Sequence, residues 1–415
     1  KEYFESKTLS AADLNDFNSN APKLETKGVF KNLKAFVGDI EFCFGTGGIH
    51  GSHKDKRIAA GNGWIIRDID VASLYPSIAI QNNLYPEHLG EPFAKVYAEL
   101  PKERKHWQKT KGKKCVEANA LKLASNGVYG NSNNQYSPFY DPKFMLSITI
   151  NGQLMLCMLA EKLMRVPTLS IIQINTDGIT YFIHEDDEPK AAAICREWEA
   201  TTRLTLEDAN YSRMWIRDVN NYIAESPDGT LKTKGAYWTP DPLDYFASIG
   251  NAQPPAWHKD LSNCVSINAA VAAMVHGVDP ETFIRNCTNP YDFMNRAKVG
   301  RADKLLHGGV EIQKTGRYYV ANNGADLVKL APPSGAPGMF KRANGVSEAE
   351  YLRVMQACNW QWNPTVCTAN KSTYENRTTS MCAGYKTAIC NDVKDFRFDN
   401  VNIGWYVSEA KKLIV

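Results

Sequence analysis

Two aspartates stand apart in the sequence. Asp70 ends an apolar, strand-like run and opens the segment Asp70-Val71-Ala72-Ser73-Leu74-Tyr75-Pro76-Ser77; Asp177 closes the turn Asn175-Thr176-Asp177 between two β runs. Taken singly, each reads as a turn or cap acid. Between them lies Lys122-x-x-x-Asn126-Gly127-x-Tyr129-Gly130, whose i, i+4, i+7 spacing puts Lys122, Asn126 and Tyr129 on one helix face. Two basic segments lie in the chain, one between these acids and one beyond both. Lys102 to Lys114 carries seven Lys or Arg against one Glu, and Arg296 to Arg342 carries nine against three Asp or Glu. Acids interspersed with basic segments suit a polyanion that runs past a carboxylate site.

Periodicity indicates the elements that must position these groups. Residues 1–35 read as a polar lead-in of helix and loop. From Ala35 to Tyr75, short β runs surround the glycine-rich stretch Gly45 to Gly51. Helical patterns cover Val116 to Tyr129 and Pro142 to Arg165; the second is apolar at Phe144, Leu146, Ile150, Leu154, Leu159 and Leu163 and is expected to be buried. Leu169 to Ile174 and Gly178 to Ile183 form a hairpin around Asp177. Asn221 to Ala224 and Leu231 to Trp238 form another across Pro227-Asp228-Gly229. Pro240, Pro242 and the loop Asn251 to Pro255 mark a boundary, beyond which the chain begins helically and becomes loop-rich.

Composition sets the outer limits. A chain of 415 residues implies two or three domains. Forty-eight Lys and Arg against 45 Asp and Glu leave only +3, so affinity for nucleic acid must come from local patches. The longest unbroken apolar run, Leu154 to Ala160, has seven residues, and Lys1 to Glu5 has no signal-peptide layout. Membrane and secretory readings are therefore set aside, and a cytoplasmic location is expected. Ten cysteines, mostly single in apolar contexts, read as reduced buried thiols. Cys358, Cys367, Cys382 and Cys390 lie close in sequence but contain no C-x-x-C pair, which argues against zinc.

The three chemical segments, in this order, resemble motifs A, B and C of family B DNA polymerases. Asp70, Ser73, Leu74, Tyr75, Pro76 and Ser77 match D-x-x-S-L-Y-P-S at every fixed position. Lys122, Asn126, Tyr129 and Gly130 match K-x-x-x-N-S-x-Y-G, with Gly127 where Ser is usual. Thr176 and Asp177 match D-T-D, with Asn175 in place of the first Asp. Lys234-Gly235-Ala236-Tyr237 looks like the K-x-Y primer element, and Gly47-Gly48 like the end of the Y-x-G-G template element, with Gly45 where the Tyr would be. The resemblance covers about residues 40–240.

It implies an α+β right-hand polymerase fold: a lead-in (1–35), a palm in two parts (36–90 and 131–240), short helical fingers (91–130) and a C-terminal thumb (241–415). The implied activity is template-directed addition of deoxynucleotides to a primer 3′ end with two Mg²⁺ ions, for which Mn²⁺ can substitute. Asp70, Asp177 and the Val71 carbonyl would hold the metals. Arg104 and Lys122 would neutralise the triphosphate, with Lys122 counted among the catalytic groups. Ser73, Leu74 and Tyr75 would flank the incoming nucleotide, Tyr75 excluding a 2′-hydroxyl, while Asn126 and Tyr129 would line the nascent base pair. Gly47, Gly48, Gly130, Thr176, Lys234 and Tyr237 would meet primer–template DNA, joined from the thumb by Lys314 and Arg317.

Asp68 is read as a solvated strand-end acid, with compensation for Asn175 as the other possibility, because alternation puts it on the face of Asp70. Asp68→Ala is accordingly expected to be mild. Asp39-Ile40-Glu41 looks like the opening of a 3′–5′ exonuclease, but only 28 residues separate Glu41 from Asp70, and it reads as a strand end. The expectation is thus a polymerase core without proofreading, its nuclease domain either lost or excised or else supplied by another chain, with a separate exonuclease or processivity subunit as a candidate partner. Nineteen residues between Gly48 and Asp68, and 51 between Asp70 and Lys122, leave little room for the insertions of protein-primed members, so a nucleic-acid primer is expected. Gly404 to Val407 with Ala410 to Lys412 resembles phage C-termini, which points to viral DNA replication in a host cytoplasm. Two competitors remain: an RNA-templated palm polymerase, and a catalytically silent, DNA-binding palm-like subunit of a replication complex.

Overall fold

The computed structural model describes residues 33–112, 115–239, 261–332, 341–358, 363–368 and 377–415. The lead-in up to residue 32, Lys113 and Lys114, the proline-marked boundary at 240–260 and most of the Pro/Gly run at 331–338 lie outside the described residues. The chain divides into two compact units after Gly235, with Val415 belonging to the first.

The first unit is built on a seven-stranded sheet in which every neighbour is antiparallel. In chain order its strands are β1 (Lys34–Val37), β2 (Ile40–Gly45), β3 (Gly48–Ser52), β5 (Trp64–Val71), β6 (Ser170–Asn175), β7 (Gly178–His184) and β8 (Leu206–Tyr211). Their spatial order is β1-β2-β3-β6-β7-β5-β8. A four-stranded antiparallel sheet, β11-β10-β9-β4, joins β4 (Lys56–Ala59), β9 (Arg213–Asp218), β10 (Asn221–Glu225) and β11 (Leu231–Thr233). The expected strand to Trp238 stops at Thr233, because Gly235 takes a left-handed turn (φ +59°) into a short 3-10 segment.

Helices α1 (Leu74–Gln81), α2 (Gly90–Lys111), α3 (Val116–Asn131), α4 (Pro142–Leu163) and α5 (Glu188–Thr202) complete the first unit. Asp141 starts α4: it accepts a hydrogen bond from the Phe144 amide (2.9 Å), with Pro142 in the first turn. Phe144, Ile148, Leu156, Leu159 and Leu163 of α4 share one core with Leu74 and Ile78 of α1 and Ile69, Val71, Ile174 and Ile179 of the sheet. Each such buried side chain stabilises the unit by about 1.5–3 kcal/mol. The buried stripe differs from the expected one: Leu154 is exposed, and Leu146 and Ile150 are only half-buried. By length and composition alone α4 could cross a membrane, yet half of its most apolar stretch is buried within the protein.

The second unit mixes helices α6 (Cys264–His276), α7 (Pro280–Asn286), α8 (Pro290–Phe293), α9 (Glu348–Ala357) and α10 (Ile403–Lys411) with small antiparallel sheets. One sheet is β12-β15-β20 (Asn295–Lys298, Thr315–Ala321, Lys386–Ile389). Another is β14-β13-β16-β19 (Val310–Ile312, Lys304–His307, Leu327–Ala331, Arg377–Ser380), and β17 (Lys341–Arg342) pairs with β18 (Cys367–Thr368). Where loops were expected the chain instead pairs strands. Tyr406 anchors this core: its hydroxyl donates to the Phe293 carbonyl (2.6 Å) and accepts from the Val320 amide (3.0 Å). The fold is therefore mixed α+β with antiparallel sheets. All ten cysteines are free thiols. Cys358 and Cys367 pack with Met355, in a cluster separate from Cys382 and Cys390. Glu41 pairs with Lys34 across β1 and β2 (2.8 Å), as a strand-end acid does.

Candidate active site

Strand β5 lies between β7 and β8 and carries the acids into one place. Asp70 stands opposite Gly178 on one side and Glu207 on the other. Only a glycine fits there: a Cβ at Gly178 would lie 1.8 Å from the Asp70 carboxylate. The ends of the strands are tied together, because the Val71 amide donates to the Asp177 carbonyl (2.7 Å). Thr176 turns the chain with φ +60°, and its amide donates to Ile49 (2.8 Å) while its hydroxyl meets His50 Nε2 (3.0 Å). A left-handed threonine is costly and is held here by β3. The register of two strands and one strained turn thus converts 107 residues of sequence separation into a shared cleft.

That cleft, about 550 Å³, is lined by Asp70, Val71, Ala72, Ser73, Leu74, Tyr75, Arg104, Lys122, Asn126, Tyr129, Asp177 and Glu207. Every residue expected to hold metal or nucleotide is in it. Ser73 adopts φ +51° at the sharp step from β5 into α1, and its hydroxyl accepts a bond from Arg104 of α2 (3.0 Å). Tyr97 of α2 fixes α3 by donating to the Ser125 carbonyl (2.8 Å), leaving the Lys122–Asn126–Tyr129 face toward the cleft. The rings of Tyr75 and Tyr129 stack at 4.2 Å and 24°, and the Tyr75 hydroxyl donates to the Gly47 carbonyl. Gly48 (φ +148°) permits this approach, since a Cβ there would sit 3.2 Å from the Tyr75 oxygen. Nothing in the structure explains the glycine at 127.

A second, polar cleft of about 310 Å³ shares Asp70 and Asp177 with the first and adds Asp68, Gln173, Asn175, Thr176, Lys232 and Lys234 among others. Asp68 is not solvated. It is 6% exposed, and it accepts bonds from the Thr180 hydroxyl (2.7 Å), the Tyr211 hydroxyl (2.7 Å) and the Lys232 ammonium (3.1 Å). Asn175 donates its amide to the Val219 carbonyl (3.2 Å), a bond that an aspartate could not make.

Charge is concentrated here. Burial, then the charges of Asp68, Asp177 and Glu207, push the Asp70 carboxyl up to about 6 despite the opposing Lys232. Burial also raises Asp177, against a backbone hydrogen bond and the charges of Lys232 and Lys234. Burial works to lower Lys232, but Asp68 and Tyr211 outweigh it and raise its affinity for the proton. Among the described residues no three His, Cys, Asp or Glu side chains are placed to hold one ion; the carboxylates lining this cleft are those of Asp70, Asp177 and Glu207.

Other expected contacts fall elsewhere. Gly130 is an exposed residue of α3 outside the cleft. Tyr237 is fully buried in the second unit and donates to the Leu413 carbonyl (2.7 Å). Arg317 is also buried there, its guanidinium donating to the Leu261 carbonyl (2.5 Å). Lys314 is exposed and bonds the Arg301 carbonyl. Sequence reasoning missed Glu207 and Lys232. Glu207 sits on a polar edge strand with no apolar alternation to reveal it, whereas the two-residue spacing of Lys232 and Lys234 was a usable signal. No protein-family model matches this chain, and no curated protein matches it.

Proposed function

We propose that this chain is a DNA-templated DNA polymerase of the family B type, adding deoxynucleotides to a primer 3′ end without proofreading of its own. One observation carries the reading. Asp70 and Asp177 open into the same cleft as Arg104, Lys122, Tyr75, Asn126 and Tyr129, which supply a cationic wall and an aromatic floor.

The donor set fits Mg²⁺: two carboxylates and carbonyl oxygens leave most positions to substrate phosphates and water, as that ion prefers. A cation would also offset the burial and the neighbouring negative charges that raise Asp70. When bound, divalent ions supply the acidity that frees the primer 3′-hydroxyl of its proton and the charge that steadies the transferring phosphoryl group. The chain's own groups do the remaining work. Asp70 extends from β5 and Asp177 from the turn that leads into the paired strand β7, so sheet register and that turn together fix their spacing. Lys122 and Arg104 neutralise the triphosphate, with Arg104 kept in place by Ser73. The stacked Tyr75 and Tyr129 rings form the surface on which the sugar and base are judged.

Primer extension with four deoxynucleotides, with and without Mg²⁺ or Mn²⁺, tests this directly. Metal-dependent extension that Asp70→Ala and Asp177→Ala each abolish is expected, with no removal of a mismatched 3′ end. A chain that binds DNA yet incorporates nothing with either metal overturns the reading in favour of a silent DNA-binding subunit.

A further inference from the structure

Asp68 offers a third carboxylate beside the proposed metal ligands, and the missing acid at Asn175 invites its use as a substitute. Its surroundings argue otherwise. One carboxylate oxygen receives Thr180, and the other receives both Tyr211 and Lys232, at 2.7–3.1 Å. Little lone-pair capacity is left for a cation, and the residue is nearly enclosed. Lys232 is the more consequential partner. It lines the polar cleft together with Asp70 and Asp177, on a stem flexible enough to reach a different carboxylate. Its ammonium is occupied instead by Asp68 and by the Tyr211 hydroxyl (2.8 Å).

We propose that Asp68 is a positioning residue that acts through Lys232: it latches the ammonium at the side of the cleft, keeping the Asp70–Asp177 pair open to divalent cations. The latch explains why a strand already crowded with acid carries one more. Without Asp68, the ammonium turns to the nearest carboxylates and competes with metal for them. The inference rests on the metal-dependent reading above, and its test separates the two.

Mn²⁺ uptake by the full chain, without DNA or nucleotide, is measured by the electron paramagnetic resonance signal of free Mn²⁺. Asp68→Asn keeps the shape, accepts from one of the Thr180 and Tyr211 hydroxyls and donates to the other, and removes the charge that holds Lys232. Mn²⁺ binding is expected to weaken about five-fold, the scale of one mobile charge opposing a divalent ion across a solvated cleft. Asp68→Asn combined with Lys232→Met is expected to restore wild-type affinity, and Lys232→Arg, which can still pair with Asp68, to preserve it. If the double variant binds as weakly as Asp68→Asn, Asp68 is itself a ligand and the latch is overturned. Should Asp68→Asn fail to fold, Lys232→Met alone decides: it should tighten Mn²⁺ binding, and weakened binding overturns the latch. A purely structural role would move the melting temperature of these variants and leave Mn²⁺ affinity in place, which also overturns it. A wild-type chain whose Mn²⁺ uptake is nil, or is unaffected by Asp70→Asn, sinks the metal-dependent reading and the latch together.

Discussion

Asp70 holds its proton too tightly for a surface acid, and that has a thermodynamic consequence. Its folded pKa, about 6, lies above the ordinary carboxylate value of 3.8. A raised carboxyl stabilises the fold below the unfolded pKa, and that contribution is lost as pH rises through about 6. At pH 7.5 the ionised group is therefore a liability in the metal-free chain. Asp70→Asn should abolish extension while making the metal-free protein more stable at pH 7.5 by about 1–2 kcal/mol, partial exposure screening the rest. Denaturant melts should show the difference vanishing near pH 4. Asp68 behaves oppositely. Asp68→Ala strips the partner from a half-buried ammonium and should cost about 3 kcal/mol in the same melts, not the mild loss expected of a solvated acid. Why one acid was legible and the other not is a matter of range. The spacing of Lys122, Asn126 and Tyr129 is local, and the setting of Asp70 is a local strand end. The partners of Asp68 arrive from 143 and 164 residues away, on strands whose pairing no window of sequence displays.

Elements explain how a loose set of side chains becomes a site. Strand register and the turn at Asp177 fix the acids, whereas α1, α2 and α3 bring the cations and rings. Lys122→Ala should therefore leave the carboxylates undisturbed and lower kcat/KM for deoxynucleotides by about 100-fold, with DNA affinity little changed; steady-state kinetics and a DNA-binding titration check both parts. The hairpin around Asp177 was readable because β-branched runs flank a polar turn, and α4 because its apolar pattern is long and begins at an Asp-Pro cap. Strand β8 was not readable: Glu207, Asp208 and Asn210 carry no alternation, and only pairing with β5 makes it a strand. The departure at Asn175 is likewise an element-scale matter, since its amide ties β6 to the Val219 carbonyl beyond β9.

Across the whole molecule, charge and order are distributed unevenly. A net charge of only +3 coexists with a cluster of acids and a strongly basic α2, so the proposed attraction for DNA would be a property of surfaces and not of the total. Affinity for a primer–template should accordingly fall by at least about 100-fold between about 50 and 200 mM salt, measured by fluorescence anisotropy. The antiparallel α+β character was readable from hairpins and turn residues. The strand content of the second unit was not, because its strands are short and their partners come from distant parts of the chain. Flanked on both sides, β5 has its amides and carbonyls committed to two neighbours along most of its length. In deuterium-exchange mass spectrometry its peptide should be among the last to take up label, while the exposed end of α2 from Lys102 to Lys111 labels within seconds. Asp70 would then ride on the stiffest ground in the protein, and the groups proposed to greet an incoming nucleotide on ground that gives.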